Sequence, residues 1–273
     1  MNFSHTPALS EAHNPFIHEP AEDQRWSTWP SVIPTLRGPK PHPDWIVTDH
    51  VPFDTELGVL KTGKEADVHL IERAVPGRSG VILAAKRYRE HTAFSRTSDY
   101  DAGRATGNSR EARAIRKKTA FGRSAAASQW AIAEFEALSR AWEAGVPVPY
   151  PVQIHGTELL LEFIGDGRAA APRLAQATMK GVALVDTYDQ VVEILRVFAR
   201  IGHAHGDLSP YNLLDDHGRI VVIDLPQTID LIANPMGMDF LHRDVVNMCT
   251  WFTRRGLECD PEALFAEILT EMW

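Results

Sequence analysis

Apolar and polar positions alternate with a period of two in two neighbouring stretches. In 66–71, Ala66, Val68 and Leu70 face one way and Asp67 and His69 the other; in 81–88 the same period puts Ile82, Ala84 and Lys86 on one face. The run Pro76-Gly77-Arg78-Ser79-Gly80 between them predicts a β-hairpin. Residues 158–164 read as another strand, broken by Gly165-Asp166-Gly167. Elsewhere the period is helical. Trp130, Ile132, Phe135, Leu138 and Trp142 supply apolar faces for a helix over 129–144, closed by Gly145 before Pro147. Tyr188, Val191, Val192, Leu195, Phe198 and Ile201 predict a helix over 187–201 that Gly202 stops. Leu213-Leu214, a turn at 215–218 and the apolar run 220–225 predict a short hairpin. A helix over 240–255 is expected, with Asp239 as its cap, Arg254 and Arg255 in its last turn and Gly256 beyond. Asp260-Pro261-Glu262 has the form of N-cap, first-turn proline and first-turn acid of a final helix. Strands with one helix, then helices with a small hairpin, predict an α+β chain folded as two unequal lobes.

Residues 1–52 hold half of the chain's 18 prolines and read as irregular, yet Trp26, Trp29 and Trp45 lie among them. Tryptophan is scarce in segments too polar to fold, so this stretch is expected to be an arm pinned to the body by its aromatics. Residues 91–128 read as a polar, basic, mobile and partly helical insertion. The expected organisation is therefore an arm at 1–52, a small lobe at 53–164 containing the insertion, and a second lobe at 165–273.

Charge and cysteine usage exclude some classes. Lys plus Arg is 28 against 36 Asp plus Glu, a net charge of −8, which argues against a protein that wraps nucleic acid with its whole surface. A local basic patch survives: 104–123 carries seven basic residues and one acid, Glu111. It reads as a solvated helix face or a mobile loop. No apolar run approaches the ~20 residues of a spanning helix, and the N-terminus lacks the pattern of a secretory signal; no membrane partner is expected. Cys249 and Cys259, without CxxC spacing, fit two thiols in a reducing, cytoplasmic setting better than a disulfide scaffold or a zinc site. Twelve histidines occur without zinc-ligand spacing, and His203 and His205 read as scaffolding of the loop they precede.

That loop carries the sharpest chemical signal. In 203–214, HAHGDLSPYNLL, followed by 220–225, IVVIDL, an aspartate, an asparagine and a strand-end aspartate recur in the order phosphoryl transfer needs. Asp207 would orient or deprotonate the attacking hydroxyl. Asn212 and Asp224 would hold the cation that bridges the phosphates, folded towards each other by the hairpin between them. Lys86, in a strand beside Ala84 and Ala85, would be costly to bury without an anion. Glu134 on the following helix is the expected partner and Glu136 its rival; an edge lysine reaching to water is the plainer alternative. In G-V-L-K-T-G-K-E-A-D-V (58–68), Gly63 permits a tight turn whose amides can face phosphate. It is not a Walker loop, because Glu65 stands where Ser or Thr is required, and a plain hairpin turn explains it as well.

Taken together, TGKEADV (62–68), AAKRY (84–88), 163–174, HGDLSPYN (205–212), VVIDLPQ (221–227) and FLHRDVVNM (240–248) resemble the RIO family of atypical serine/threonine protein kinases, its first subfamily and bacterial members above all. The resemblance implies a two-lobed kinase-like fold without activation loop or distal substrate-binding helices. It implies Asp207 as catalytic aspartate, Asn212 and Asp224 as metal ligands, Lys86 as phosphate lysine and Glu134 as its partner. Thr62, Gly63, Lys64 and Glu65 would form the phosphate loop with Val68 after it. Leu161 would be the gate residue, and Glu162 to Ile164 would meet adenine. Asp224 would also be a candidate acyl-phosphate acceptor. The implied cofactors are ATP and Mg2+, with Mn2+ admissible, and the implied acceptor is a protein serine or threonine, including this chain's own Ser95, Thr97 or Ser98. There are departures: Lys61 stands where the family often has serine, His69 where it has tyrosine, and Pro210 where a glutamate is common.

Gly206 before Asp207 is not the arginine of protein kinases switched by activation-loop phosphate, and no APE triplet follows Asp224. Two other functions fit the catalytic loop: a small-molecule kinase of the aminoglycoside or choline phosphotransferase type, which shares HGD-x-x-x-x-N, and a nucleotide-gated module acting on ribosomal particles.

Overall fold

The computed structural model describes residues 19–49, 52–89 and 120–272, with the side chains of the last stretch from residue 125. The first lobe is built on strands β1 (Gln24–Trp26), β2 (Phe53–Thr62), β3 (Ala66–Ala74), β4 (Val81–Tyr88), β5 (Pro151–His155) and β6 (Glu158–Glu162). They form one antiparallel sheet in the order β1-β2-β3-β4-β6-β5. The expected hairpin is β3–β4, in which Val68 stands opposite Lys86 and Leu70 opposite Ala84. Helix α1 (Ala120–Glu143) packs on this sheet through Ala127, Ala131, Phe135 and Leu138, all buried. It begins well before residue 129, and among the described side chains the buried residue before that point is Ala127, too small to show in a pattern of large apolar side chains. Ile132, counted as part of the apolar face, is exposed. Of the expected insertion, 91–119 lie outside the described residues, and 120–128 belong to α1.

The second lobe begins with a ribbon, β7 (Gly165–Asp166) and β8 (Ala169–Ala170), then α2 (Val182–Arg200) and β9 (His203–Ala204). The hairpin β10 (Leu213–Asp216) and β11 (Arg219–Val222) follows, then β12 (Ile229–Asp230), α3 (Gly237–Thr253) and α4 (Pro261–Thr270). Strand β12 pairs with β9, which sets the segment after Asp224 beside the entry to the catalytic loop. Helix α3 starts at Gly237, so Asp239 sits in its first turn and is not its cap. A Cβ at Gly237 would lie 2.7 Å from the Leu231 backbone, so only glycine admits that approach. Helix α4 starts as expected: the Asp260 carboxylate accepts from the Glu262 and Ala263 N–H groups. Among the described residues no helix is long and apolar enough to cross a membrane.

One expectation is corrected. Cys249 in α3 and Cys259 just before α4 are joined as a disulfide, with their Cα atoms 5.3 Å apart. After α3 the Gly256 turn, at φ +91°, reverses the chain and carries Cys259 back to Cys249. Cysteine spacing hid this because proximity here comes from a helix end, not from a local motif. Cysteine usage therefore gives no support to a reducing compartment.

The arm is part of the sheet. Gln24–Trp26 pairs with β2 at one edge, and the Gly38 N–H donates to the Val152 carbonyl of β5 at the other, 2.9 Å. Both edges are thereby covered. Trp29 is buried with Ile46, Ile71, Leu83, Tyr150 and Leu160, and Trp45 packs on the same cluster. Trp26 is largely exposed but lies on Phe53, ring centroids 4.4 Å apart. A buried polar cluster fastens the arm. Arg73 donates to both Asp54 oxygens at 2.7 and 2.9 Å and to Gln153 Oε1 at 2.9 Å, and Gln153 Nε2 donates to Thr28 Oγ1 at 2.6 Å. Arg73, Asp54 and Gln153 are each 1% exposed or less.

Breaking a buried pair leaves an uncompensated charge, so Arg73→Met is expected to lower the unfolding free energy by about 3–5 kcal/mol in urea titrations. Arg73→Met with Asp54→Leu should recover most of that loss. Single-variant stability equal to wild type would show that the pair does not fasten the arm.

Candidate active site

A cleft of about 570 Å³ lies between the lobes. Its apolar wall is Val68, Ala84, Leu138, Leu161, Phe163, Ile164, Leu214 and Ile223. Gly63, Lys64, Glu65, Lys86, Glu134, Glu162 and Asp224 also line it, together with Lys61 and Arg173. Most of the residues picked from the sequence thus meet in one place. Thr62 is not in the lining; its hydroxyl bonds to Asp67, and the Gly63 N–H closes the tight turn on the Ala66 carbonyl at 3.0 Å. Asp207 and Asn212 lie outside the lining as well, Asp207 exposed and Asn212 buried.

At the centre is Lys86, whose side chain is 14% exposed. Its Nζ donates to Glu134 Oε1 at 2.7 Å and to Asp224 Oδ1 at 3.1 Å. It also stands 5.4 Å from the centroid of the Tyr88 ring. The rival acid Glu136 points to solvent. Helical spacing decides this: Glu134 lies on the face that carries Ala127, Ala131 and Leu138, and Glu136 does not. The Tyr88 hydroxyl donates to the second oxygen of Glu134 and fixes that carboxylate. Burial alone would lower the pKa of the ammonium; Glu134, with Tyr88 and Asp224, outweighs it and holds the value well above that of ordinary lysine.

Asp224 follows the hairpin in a left-handed conformation, φ +67°, that non-glycine residues seldom adopt. Such strain persists where surrounding contacts over-determine it. Here the Ile223 N–H donates to the Asn212 carbonyl at 2.9 Å and His205 Nε2 meets the Ile223 carbonyl at 3.2 Å. The charge of Lys86, against a smaller opposing effect of burial, pulls the Asp224 carboxyl down to about 2.

The loop carrying Asp207 is held from below. The Asp207 N–H donates to His205 Nδ1 at 3.3 Å, which puts the imidazole proton on Nε2 and lets it donate to Ile223. Asp244, fully buried in α3, accepts from the Gly206 N–H and the Leu208 N–H, both at 2.8 Å. Arg243 donates to the Gly206 carbonyl, and Asn247 Nδ2 to the Leu208 carbonyl at 3.1 Å. Burial pushes the Asp244 carboxyl up, while the bonds from the Leu208 and Gly206 amides pull it back. Sequence reading quoted this stretch without assigning Asp244 a task. The signal was there: Phe240, Leu241, Val245 and Met248 mark the buried face of α3, and an acid among them must have donors.

Asn212 Nδ2 donates to the Asp207 carbonyl at 2.9 Å, which turns its Oδ1 the other way. Among the described residues no three His, Cys, Asp or Glu side chains form a metal cage. Asn212 and Asp224 supply hard oxygen donors but too few to satisfy a cation alone, which suits Mg2+, an ion that keeps waters and phosphate oxygens. At the other end, the Glu162 N–H is already engaged by the Tyr150 carbonyl at 2.9 Å, and the Ile164 carbonyl accepts from Ala171 at 3.0 Å. The Glu162 carboxyl accepts from the Tyr150 N–H and is shifted up by burial.

Residues 74–264 match the model of the family RIO1, the RIO domain. The chain belongs to the RIO family. It is 33% identical to the RIO-type serine/threonine-protein kinase Rio1 of Haloferax volcanii, over 78% of this chain and 68% of that one. It is 34% identical to the Rio1 of Thermoplasma acidophilum, over 50% of this chain and 69% of the relative. With the serine/threonine-protein kinase RIO3 of Caenorhabditis elegans it shares 39% identity but spans only 26% of that protein. The Rio2 kinase of Chaetomium thermophilum, solved as an ADP/Mg2+-phosphoaspartate complex, superposes with a TM-score of 0.55 at 21% identity, over 79% of this chain and 62% of that one. At that identity the likeness shows the fold: RIO family members and this chain share the two-lobed α+β kinase architecture.

Two consequences can be measured. A depressed carboxyl pKa adds stability above its unfolded value near ~4 and loses it as pH falls towards the folded value. Urea unfolding from pH ~4 down to about 2 should therefore cost wild type more stability than Asp224→Asn, whose side chain does not titrate; parallel acid limbs would mean that Asp224 is not held by Lys86. Replacing Asp244 by Leu strands two buried N–H donors and should lower stability by about 1–3 kcal/mol for each, read by the same titration at neutral pH.

Proposed function

We propose that this RIO protein transfers the γ-phosphate of ATP to serine or threonine of a protein, itself included, or passes it to water by way of Asp224. The observation that carries the reading is one lysine, from the sheet of the first lobe, bonded both to an α1 glutamate and to the strained aspartate that ends the second-lobe hairpin. Lys86 binds phosphate oxygens and Glu134 holds it in position. Gly63, Lys64 and Glu65 cover the phosphates, with Thr62 bracing their turn through Asp67. Val68, Leu161 and Ile164 flank the base. Asp207, exposed on the loop before β10, accepts the proton of the attacking hydroxyl in this reading. Asn212 and Asp224 hold Mg2+, with Mn2+ as a substitute; when bound, the cation neutralises charge developing between the phosphates. Asp224, a carboxylate lining the cleft, is also the candidate for an acyl-phosphate. Work in the cytoplasm, where ATP is supplied, goes with this reading, and the basic stretch 104–123 is the candidate contact for a ribosomal subunit or RNA.

Purified protein should convert ATP only with a divalent cation present. Asp207→Ala should reduce turnover by about 10²–10⁴-fold while leaving nucleotide affinity within a few-fold, and Lys86→Ala should weaken nucleotide binding itself. Wild-type protein that transfers phosphate to no protein but to a hydroxyl metabolite would replace the protein acceptor by a small molecule. Binding to ribosomal particles with no turnover would replace catalysis by nucleotide gating.

A further inference from the structure

Strand β5 is the last of its sheet and has β6 on one side only. An edge strand of this kind opens readily unless something supplies its second neighbour. The arm supplies it. The Gly38 N–H donates to the Val152 carbonyl at 2.9 Å, and Arg37 bridges to Gln153. The approach is close: a Cβ at Gly38 would lie 2.1 Å from the Pro151 carbonyl oxygen and 2.5 Å from the Tyr150 hydroxyl. Tyr150, immediately before β5, is fully buried. Its hydroxyl donates to the Pro39 carbonyl at 2.6 Å and accepts from His42 Nδ1 at 2.9 Å, both in the arm. A phenol has one proton, so giving it to Pro39 obliges the imidazole to carry its own on Nδ1. The ring stands edge-on to Trp45 of the arm and Trp142 of α1, with centroids 6.0 and 5.1 Å apart.

The other side of the same dipeptide holds a wall of the cleft. Tyr150 and Glu162 are bonded twice: the Glu162 N–H donates to the Tyr150 carbonyl at 2.9 Å, and the Tyr150 N–H to Glu162 Oε2 at 3.0 Å. Pro151 stands opposite Leu161 in the β5–β6 ladder. Leu161, Glu162, Phe163 and Ile164 all line the cleft, whereas no described residue of the arm does. The arm also lies outside 74–264, the stretch that matches the RIO domain.

We propose that Tyr150 is a positioning residue for nucleotide binding, through which the arm sets Leu161 to Ile164 in place against the base. This rests on the nucleotide function proposed above. Groups that hold a binding segment from behind fix its geometry without touching the ligand. With the arm displaced, β5 becomes an open edge and the Tyr150 hydroxyl loses both partners inside the core. Glu162 follows Tyr150, because its N–H and its carboxylate are both tied there. The phosphate end of the site, around Lys86 and Gly63, has no bond to this dipeptide, so the effect falls on the part that every adenine nucleotide shares.

The test is titration of wild type, Gly38→Ala, Tyr150→Phe and Trp26→Ala with fluorescent ATP, ADP and AMP in Mg2+, with melting temperatures recorded alongside. Gly38→Ala drives a methyl group against Tyr150 and Pro151 from the arm side. Tyr150→Phe keeps the ring and removes only the hydroxyl. Each should weaken all three nucleotides by the same factor, about tenfold, and raise KM for ATP in step while kcat at saturating ATP stays at the wild-type value. Trp26→Ala loosens the arm at the opposite sheet edge, where it lies on Phe53; it should lower the melting temperature and leave the three affinities unchanged. Should Gly38→Ala fail to fold, Tyr150→Phe decides alone. Unchanged affinities in Tyr150→Phe, a loss confined to ATP, or an equal loss in Trp26→Ala overturn the proposal and leave the nucleotide site intact. Failure of wild type to bind any of the three overturns the nucleotide function and this proposal with it.

Discussion

The structure depends on where one ammonium group can be put. Lys86 lies in the middle strand of a sheet, largely removed from water, and an unpaired charge there would cost several kcal/mol. Two carboxylates from different parts of the fold meet that cost. Glu134 is delivered by the helix packed on the sheet and is fixed by Tyr88; Asp224 is delivered by the other lobe. The first pair orients α1 against β4, and the second closes the cleft with a charge contact across it. The cleft is therefore shaped by electrostatics as much as by the apolar side chains that wall it.

The second lobe solves a matching problem, that of holding a strained aspartate and an exposed one at a fixed spacing. It does so mostly with buried side chains that bond to the backbone of the loop. Asn212 holds the Asp207 carbonyl with its side chain and the Ile223 N–H with its carbonyl, and His205 spans from Asp207 to Ile223. Beneath them Asp244 gathers the amides on either side of Asp207. A buried carboxylate is expensive, and one aimed at two N–H donors is well suited to making a loop rigid. Asp207 can then stay exposed and available without being loosely placed.

Much of this was legible in the sequence where the chemistry forces a residue type. Period-two alternation located the hairpin that carries Lys86, and the strand-end Asp224 read from the sequence does line the cleft. The choice of Glu134 over Glu136 needed only helical phase. Legibility failed where the determinant is not a side-chain pattern. Helix α1 starts ahead of its first large apolar residue, with Ala127 buried before it, and Lys61 enters the cleft next to a register slip of β2 on β3 that no alternation announces. Asp239 looks like a cap, but α3 starts three residues earlier than that cap implies, at Gly237, which lies close to the Leu231 backbone. Cys249 and Cys259 meet because a glycine turn reverses the chain between them. Trp29 and Trp45 pack on the sheet's cluster, yet the pairing of the arm with both sheet edges rests on backbone groups, Gly38 among them, whose partners do not show in one sequence.

The same pairing explains why a nucleotide and its cation should be coupled in this protein. In the structure Lys86 and Asp224 serve as each other's counter-charges. On the function proposed above, phosphate draws Lys86 away from Asp224, and a cation uses the same Asp224 carboxylate. Each ligand therefore costs more alone than with the other, since the one binding second finds the internal pair already separated. Glu134 takes no part in the exchange, because its oxygens are divided between Lys86 and Tyr88 and its helix is anchored in the core. The lysine can turn between Asp224 and phosphate without losing its buried partner. A site with a single carboxylate could not do this: the lysine would either be left unpaired on release or be held too tightly to move.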